Sequence, residues 1–561
     1  MTHFAKNHFA AAVALLAPAL AAANPSGGQV VSGTATIGGQ TGRMVVTQTS
    51  NSAIVNWQDF SVGADESVRF DLPSASAAIL NRVTGTAASN IAGSISSNGR
   101  VFLVNPNGIV FGQGAQINVG SLIATTLDIS DADFNAGSYK FQQGSGTPGS
   151  IVNNGSIVAD GGNVVLLADQ VHNGGLIQAN YGRVALHAGA SMTLSFDEQG
   201  LINYEVADND ALLAARSQNA GVSNSGELRA DGGTVYMTAV VARSLIKTVV
   251  NNSGTISATR MESGEDGAIV LYGAGGDVEI SGTIDGGYVY VGSSHDVAKT
   301  AGASLQLYAD ALSVTAGDSI ALASDGTEGS NSYLSIGNGI AIGYDADLLA
   351  QIESFAAAHP DLPNLMPRSY GPNAGFEAGG SVALGDVYLG GGYLYVRATS
   401  VSAQNIATEG SFFYNYRPTG DTSNIDLVQS LNLPISASSV TLAYGGGGYS
   451  GDINISGLQA QTLTASGDAA NYLFMTNGKV NGAGQLSTSG VVAVLAGTAG
   501  PGPDPGTPGE PTPEDEATAA TIATVTTGLA QTVTVHDLQP ALPPGSEPAL
   551  VSEAPMATQC Q

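Results

Sequence analysis

The chain has 561 residues, of which 11% are charged, 43% are hydrophobic and 75 are glycine. That profile belongs to many short strands and tight turns and excludes both helical domains and a disordered chain. The net charge is −29, from 46 acidic against 17 basic residues, a surface that repels nucleic acid and anionic lipid headgroups.

Chain order starts with a weakly basic stretch, Met1 to Lys6, followed by an apolar run from Phe9 to Leu20 and three alanines, Ala21-Ala22-Ala23. This reads as a secretory signal peptide over residues 1–23, with small residues at the cleavage site before Asn24. No later stretch reaches the roughly 18 consecutive apolar residues of a membrane-spanning helix.

Residues 24–145 form the next unit. Val101-Phe102-Leu103-Val104 and Ile109-Val110-Phe111 are short β-type apolar runs separated by Asn105-Pro106-Asn107-Gly108. Proline presets φ at the second turn position, asparagine tolerates the third, and glycine accepts positive φ, so the pattern predicts strand, turn, strand, a generic hairpin signal. Trp57 is the one tryptophan, and it is expected to plug the first coils as a core residue rather than to face a partner.

The whole block resembles the amino-terminal secretion domain of the filamentous haemagglutinin family, the exported partners of two-partner secretion systems. The matching pieces stand in family order: Gly28 to Gly33, Asn56-Trp57-Gln58-Asp59-Phe60-Ser61-Val62-Gly63, Val68-Arg69-Phe70, Leu80-Asn81-Arg82-Val83-Thr84-Gly85, Ile91-Ala92-Gly93-Ser94-Ile95, the Asn-Pro-Asn-Gly turn, and Ser121 to Leu127. Departures occur at Asp71-Leu72-Pro73, where the family tends to have Gln-Pro, and at Thr125, where serine is commoner. The resemblance implies a partner, an outer-membrane β-barrel transporter with periplasmic domains. It also implies that Asn105, Pro106, Asn107 and Gly108, together with Asn56 and Trp57, serve transporter recognition. It further implies a secreted or surface location on a Gram-negative-type bacterium, and work outside as an adhesin on a host cell surface, glycan or protein receptor.

Behind this block one theme returns. Ile151 to Ala168, with Asn154-Gly155 and Gly161-Gly162, is echoed by Val171 to Ala188, then by Val222 to Val235 and Val250 to Ile256. A period near 20 residues with short strands led by Asn-Gly and Gly-Gly turns is the sequence form of a parallel β-helix. The fold class is therefore all-β, a right-handed parallel β-helix or solenoid with short helical insertions and a disordered C-terminal tail. Coils are expected over residues 146–344 and 374–500, about 20–25 of them including the first block, at about 4.8 Å each. Helical interruptions are expected at Asp208–Arg216 and in a helix-loop insertion over 345–373, where Leu348, Leu349, Ile352 and Phe355 recur at helical spacing and Pro360 stops the helix. Residues 501–515 are a Pro/Gly linker and 516–561 a flexible tail.

Searches for chemistry return little. There is no His-Glu-x-x-His, no Gly-x-Ser-x-Gly, no phosphate loop and no calcium-binding loop, so no catalytic residue, metal or cofactor is expected, and the chain reads as a non-enzyme. His172 and His187 stand at repeat-strand edges and read as structural. The alternatives are a protein that captures a ligand or host protein through the 345–373 insertion and, more remotely, a carbohydrate-acting β-helix enzyme with paired carboxylates. The aromatic run Phe412-Phe413-Tyr414-Asn415-Tyr416 reads equally as a packed strand or an adhesive patch. Cys560, the single cysteine, allows no intramolecular disulfide and no cysteine zinc cluster. Surface attachment or a link to a second chain is open to it.

Overall fold

The computed structural model describes residues 24–144, 149–196, 202–205, 221–240, 248–260, 267–337, 374–390 and 393–408, with further strands up to Val535 by backbone alone. The signal peptide, the helix expected at Asp208–Arg216, the 345–373 insertion, the 501–515 linker and Cys560 lie outside the described residues.

The strands stack as a parallel β-helix. In the first block they run β1 (Gln29–Ser32), β2 (Ala35–Gln40), β3 (Arg43–Gln48), β4 (Ser52–Trp57), β5 (Ser67–Asp71), β6 (Ala78–Val83), β7 (Ser89–Ile91), β8 (Ser94–Ser97), β9 (Arg100–Val104), β10 (Ile109–Phe111), β11 (Gln116–Asn118) and β12 (Ser121–Thr125). Three strands make a coil, and each pairs in parallel with its counterpart one coil on: β7 with β10, β8 with β11, β9 with β12. Along the middle strand of the coils the register repeats without slip. Val68, Ile95, Ile117, Ile157, Ile177, Leu228, Ile256, Ile284, Leu307, Leu334, Val387 and Ile406 form one unbroken inward column. Each member is buried. An alternating strand presents every second side chain inward, so one aliphatic per short strand, held in register, is enough to build a continuous core.

The Asn-x-Gly signals acquire a physical role in this stack. Asn153, Asn173, Asn224 and Asn252 are fully buried, and each Nδ2 donates to the Oδ1 of the next, at 2.7, 2.8 and 2.8 Å. The ladder ends with Asn252 Nδ2 donating to the Ser281 carbonyl at 2.8 Å. Each amide thus satisfies its neighbour inside the core, where an unpaired polar group would be costly. The next position of the column, Ile280, is apolar, and Phe111 stands before Asn153.

One expectation needs correcting. The Val101–Phe111 region is not a hairpin: β9 and β10 do not pair with each other but with β6 and β12, and with β7 and the strand residues Ile151–Asn153, respectively. The turn between them is a solenoid corner, because a coil turns its strands onto different faces instead of folding them back. Two short antiparallel pairs lie toward the carboxy end. Val525–Thr526 pairs antiparallel with Val491–Val492, and Gln531–Val535 with Gly484–Thr488. Alternating Thr and Val suits a strand, and antiparallel pairing covers backbone that an open stack end would leave exposed. The repeat length is not constant: the ladder step widens from 20 residues at Asn153–Asn173 to 51 at Asn173–Asn224. Phe412–Tyr416 lies in a stacked strand, paired on both sides with Leu394–Ala398 and Val440–Tyr444.

A second apolar layer lies outside the solenoid. The antiparallel strands Tyr139–Gln142, Ser191–Phe196 and Ile202–Glu205 form their own sheet. With the short helix α1 (Asp131–Asn135), capped by Ser130 Oγ accepting from Asp133 N at 3.0 Å, they cover the outer face of β9, β12 and their successors. Phe102 is the hub, with Phe134, Tyr139 and Phe141 rings at 5.2, 5.0 and 6.4 Å.

Candidate functional site

The solenoid begins in a closed end. β2 and β3 form an antiparallel hairpin, β1 runs antiparallel to β4, and the parallel stacking starts with β3–β5 and β4–β6. Trp57 fills this end as expected, 1% exposed, edge-on to Phe60 at 5.5 Å, with Phe60 stacked on Phe70 at 6.4 Å. Its Nε1 donates to Asn81 Oδ1 at 3.0 Å, and Asn81 Nδ2 donates to the Phe102 carbonyl at 3.2 Å. Gly28 is required by the same ring: a Cβ there would stand 2.5 Å from Trp57 Cζ3. Asn56 sits beside Gln29 in the β1–β4 pair, with Oδ1 out of solvent and without a hydrogen-bond partner.

The Asn105–Gly108 corner is built on a buried side chain. Asn105 is fully buried. Its Nδ2 donates to the Ala87 carbonyl and Ser89 Oγ, both at 3.0 Å, while its Oδ1 accepts from Asn107 N and Nδ2, also at 3.0 Å. Gly108 N closes the turn on the Asn105 carbonyl at 3.1 Å, and Gly108 takes φ 113°, the left-handed region that favours glycine. Pro106 and Asn107 are exposed. In the folded chain, then, only Pro106 and Asn107 of this motif are available to a partner, and Asn105 acts by shaping the corner.

Tertiary structure brings the two separated motifs together. β4, β6 and β9 are consecutive rungs of one face, with Trp57 opposite Val83 and Arg82 opposite Val104. Leaving that face, Thr84 N donates to the Trp57 carbonyl at 2.8 Å, and Asn107 Nδ2 donates to the Gly85 carbonyl at 3.0 Å. The Trp57 end, the 83–85 corner and the Asn105–Gly108 corner form one column of successive turns.

Sequence reasoning placed Asn81 and Arg82 in a matching piece without giving them a role, and passed over Ser89. Arg82 pairs with Asp128 at 3.2 Å and Asp131 at 2.5 Å and donates to the Ile129 carbonyl at 2.5 Å, fastening the α1 segment to β6. Thr125, the last residue of β12, belongs to the same region: Leu127 N donates to its Oγ1 at 2.9 Å, which a serine would also allow. Among the described residues no group of three or more His, Cys, Asp or Glu is placed to hold a metal ion. His172 bonds Ser223 Oγ at 2.9 Å, and burial keeps its imidazole below the ordinary histidine range.

The geometry defines a class: an all-β solenoid whose first coils are closed by an aromatic plug and a column of asparagine-shaped corners. Residues 21–286 match the TPS secretion domain family. The chain therefore carries a TPS secretion domain toward its amino-terminal side, and exoproteins with that domain are secreted to the cell surface or surroundings of Gram-negative bacteria. It is 34% identical over 212 residues to a heme/hemopexin-binding protein of Haemophilus influenzae strain Rd, covering 36% of this chain and 23% of that protein. A second heme/hemopexin-binding protein of Haemophilus influenzae is 42% identical over 118 residues, 21% of this chain and 13% of that one. The chain thus matches less than a quarter of the length of these relatives. The crystal structure of the HMW1 secretion domain from Haemophilus influenzae aligns at 24% identity, over 75% of this chain and 100% of that one, with a TM-score of 0.49.

Proposed function

We propose that the chain is exported through its own outer-membrane β-barrel transporter and, once outside, captures a ligand or host protein without chemical turnover. The observation that carries the export half is the corner column joining Trp57, Gly85 and Asn105–Gly108 inside the family-matched segment. An unfolded chain offers unpaired strand edges to periplasmic domains by β-augmentation. Outside, coil-by-coil stacking, seeded at the Trp57 end, makes the passage favourable without ATP.

Capture is favoured over adhesion because the curated relatives are named for binding heme and hemopexin. The adhesin reading stands second, supported by the elongated repeat architecture that such proteins share. Secretion by a strain carrying the cognate transporter, compared between the unaltered chain and Asn107→Ala, tests the first half. Unchanged secretion for this variant and for Pro106→Ala removes the exposed corner from recognition. Titration of the purified secreted chain with heme–hemopexin complex tests the second half. Absence of binding there, with binding to cultured cells, moves the function to adhesion. Shortening of any polysaccharide by the purified chain contradicts the non-enzymatic reading.

A further inference from the structure

Midway along the rod, between the coils carrying Asp285, Tyr308 and Ser335, the surface opens into a groove of about 230 Å³ lined by Thr259, Arg260, Asp285, Tyr308, Asp310 and Ser335 among others. Its floor is kept low by glycine: a Cβ at Gly337 would stand 3.1 Å from Asp310 Oδ1. Neither the Asp285 nor the Asp310 side chain has a hydrogen bond or ion pair among the described residues. Burial, with the charges of Asp231 and Asp310 added, holds the Asp285 carboxyl above the usual range. Asp231 itself is already engaged, by Ser257 Oγ at 2.6 Å and Thr259 N at 3.1 Å.

From this groove a file of exposed tyrosines runs along the rod. Tyr308, Tyr333 and Tyr388 are 37%, 36% and 39% exposed, the chain's exposed large aromatics apart from Tyr181 among the described residues. Successive ring centroids lie 6.0 and 5.2 Å apart. Exposed aromatic side chains grouped in line mark an interaction surface more than scattered ones do.

We propose that this groove and the tyrosine file bind a neutral saccharide chain. Carboxylates offer only acceptors, and hydroxyl-rich sugars supply the donors that Asp285 and Asp310 lack, with the Ser335 hydroxyl at the groove wall for sugar oxygens. The carbon faces of sugar rings suit aromatic surfaces. The groove is smaller than the roughly 300–1,000 Å³ of pockets that enclose a whole small molecule, so it takes one ring, and the following units lie along the tyrosines. An extended peptide is disfavoured because the strands here are already paired on both sides, leaving no backbone edge to augment. Anionic glycans are disfavoured by the charge of −29.

This site rests on the capture reading only in assuming a rod displayed outside the cell, and its test is independent of export. Isothermal titration of the purified secreted chain is carried out with a β-linked glucose hexamer and a β-linked N-acetylglucosamine hexamer, and with oligogalacturonate and oligolysine as charged controls. At least one neutral hexamer is expected to bind, with affinity falling roughly tenfold in Tyr308→Ala and also falling in Asp310→Asn. Both positions are surface ones, and an unchanged thermal melt confirms folding. No heat from either neutral hexamer, binding insensitive to both substitutions, or binding confined to a charged control overturns the proposal. Loss of heme–hemopexin binding alone leaves it standing.

Discussion

Asn105 and Asn107 differ by two positions and do different work. Asn105 is wholly enclosed, and its amide serves four partners, whereas Asn107 stands in solvent and spans to Gly85. Asn105→Ala strands the buried Ser89 hydroxyl, and such an orphaned group costs about 1–3 kcal/mol, while the exposed Ala87 carbonyl can turn to water. Asn107→Ala removes surface bonds worth about 1 kcal/mol. Amide hydrogen exchange of β7, β9 and β10 is expected to accelerate markedly in the first variant and little in the second. The ladder follows the same reasoning. Asn224→Ala leaves Asn173 Nδ2 and Asn252 Oδ1 without their partners, and exchange in the flanking coils 171–178 and 248–258 should rise accordingly. Asp231 adds a pH dependence. Burial opposes its charge, but hydrogen bonds from Ser257 and Thr259 and the nearby Arg229 more than offset it and hold its carboxyl below the usual value. A group depressed in the folded state stabilises above its unfolded pKa of about 3.9, and that contribution is lost as pH falls through the folded value. Local opening around 229–259 is therefore expected to rise on acidification below about pH 4, and Asp231→Asn should flatten that rise.

At the scale of elements, the closed end carries the largest single side chain. Trp57→Ala removes a fully enclosed ring and should cost about 3–5 kcal/mol in the first coils. Trp57→Phe keeps most of the apolar contact but leaves Asn81 Oδ1 unpaired, about 1–3 kcal/mol. Because a solenoid unfolds by neighbouring units and not as one two-state body, both effects are expected in exchange of β3–β6 and not in coils beyond the asparagine ladder. A uniform change along the rod would contradict that. The outer antiparallel sheet explains a detail of composition. Val101-Phe102-Leu103-Val104 and Val164-Val165-Leu166-Leu167 are continuous apolar runs, not alternating ones, because both faces are covered, the inner by the core and the outer by Phe134, Tyr139 and their neighbours. Continuity was the signal available in the sequence for this layer. The partners that cover it lie in a different segment, so reading the runs alone could not say what covered them.

For the molecule as a whole, charge and repetition set the behaviour. With 46 acidic against 17 basic residues, the secreted chain is expected to pass a heparin column without retention at physiological salt, and retention would point to a basic patch that the composition hides. Stacking makes each coil depend on its neighbours, so interrupting the column at Ile177→Asp should destabilise the adjoining coils and lower the yield of folded protein outside the cell. The site proposed for saccharides sits where such a rod meets its surroundings, on a flank between coils instead of at the closed end.

What the sequence determined by itself was periodic: Asn-Gly and Gly-Gly turns at near-constant offsets, one inward aliphatic per strand, and a block with family order at its start. Periodicity is local, and a parallel solenoid is the fold in which local periodicity and global stacking coincide, so the architecture was legible without coordinates. Tertiary structure alone decided what is set by contacts between distant residues. Asn105–Gly108 became a corner and not a hairpin because its flanking strands pair with other coils. Trp57 and Asn107 became neighbours through Thr84 and Gly85. Asp285, Asp310 and three tyrosines came to share one surface because coils of unequal length stack their strands, not their residue numbers.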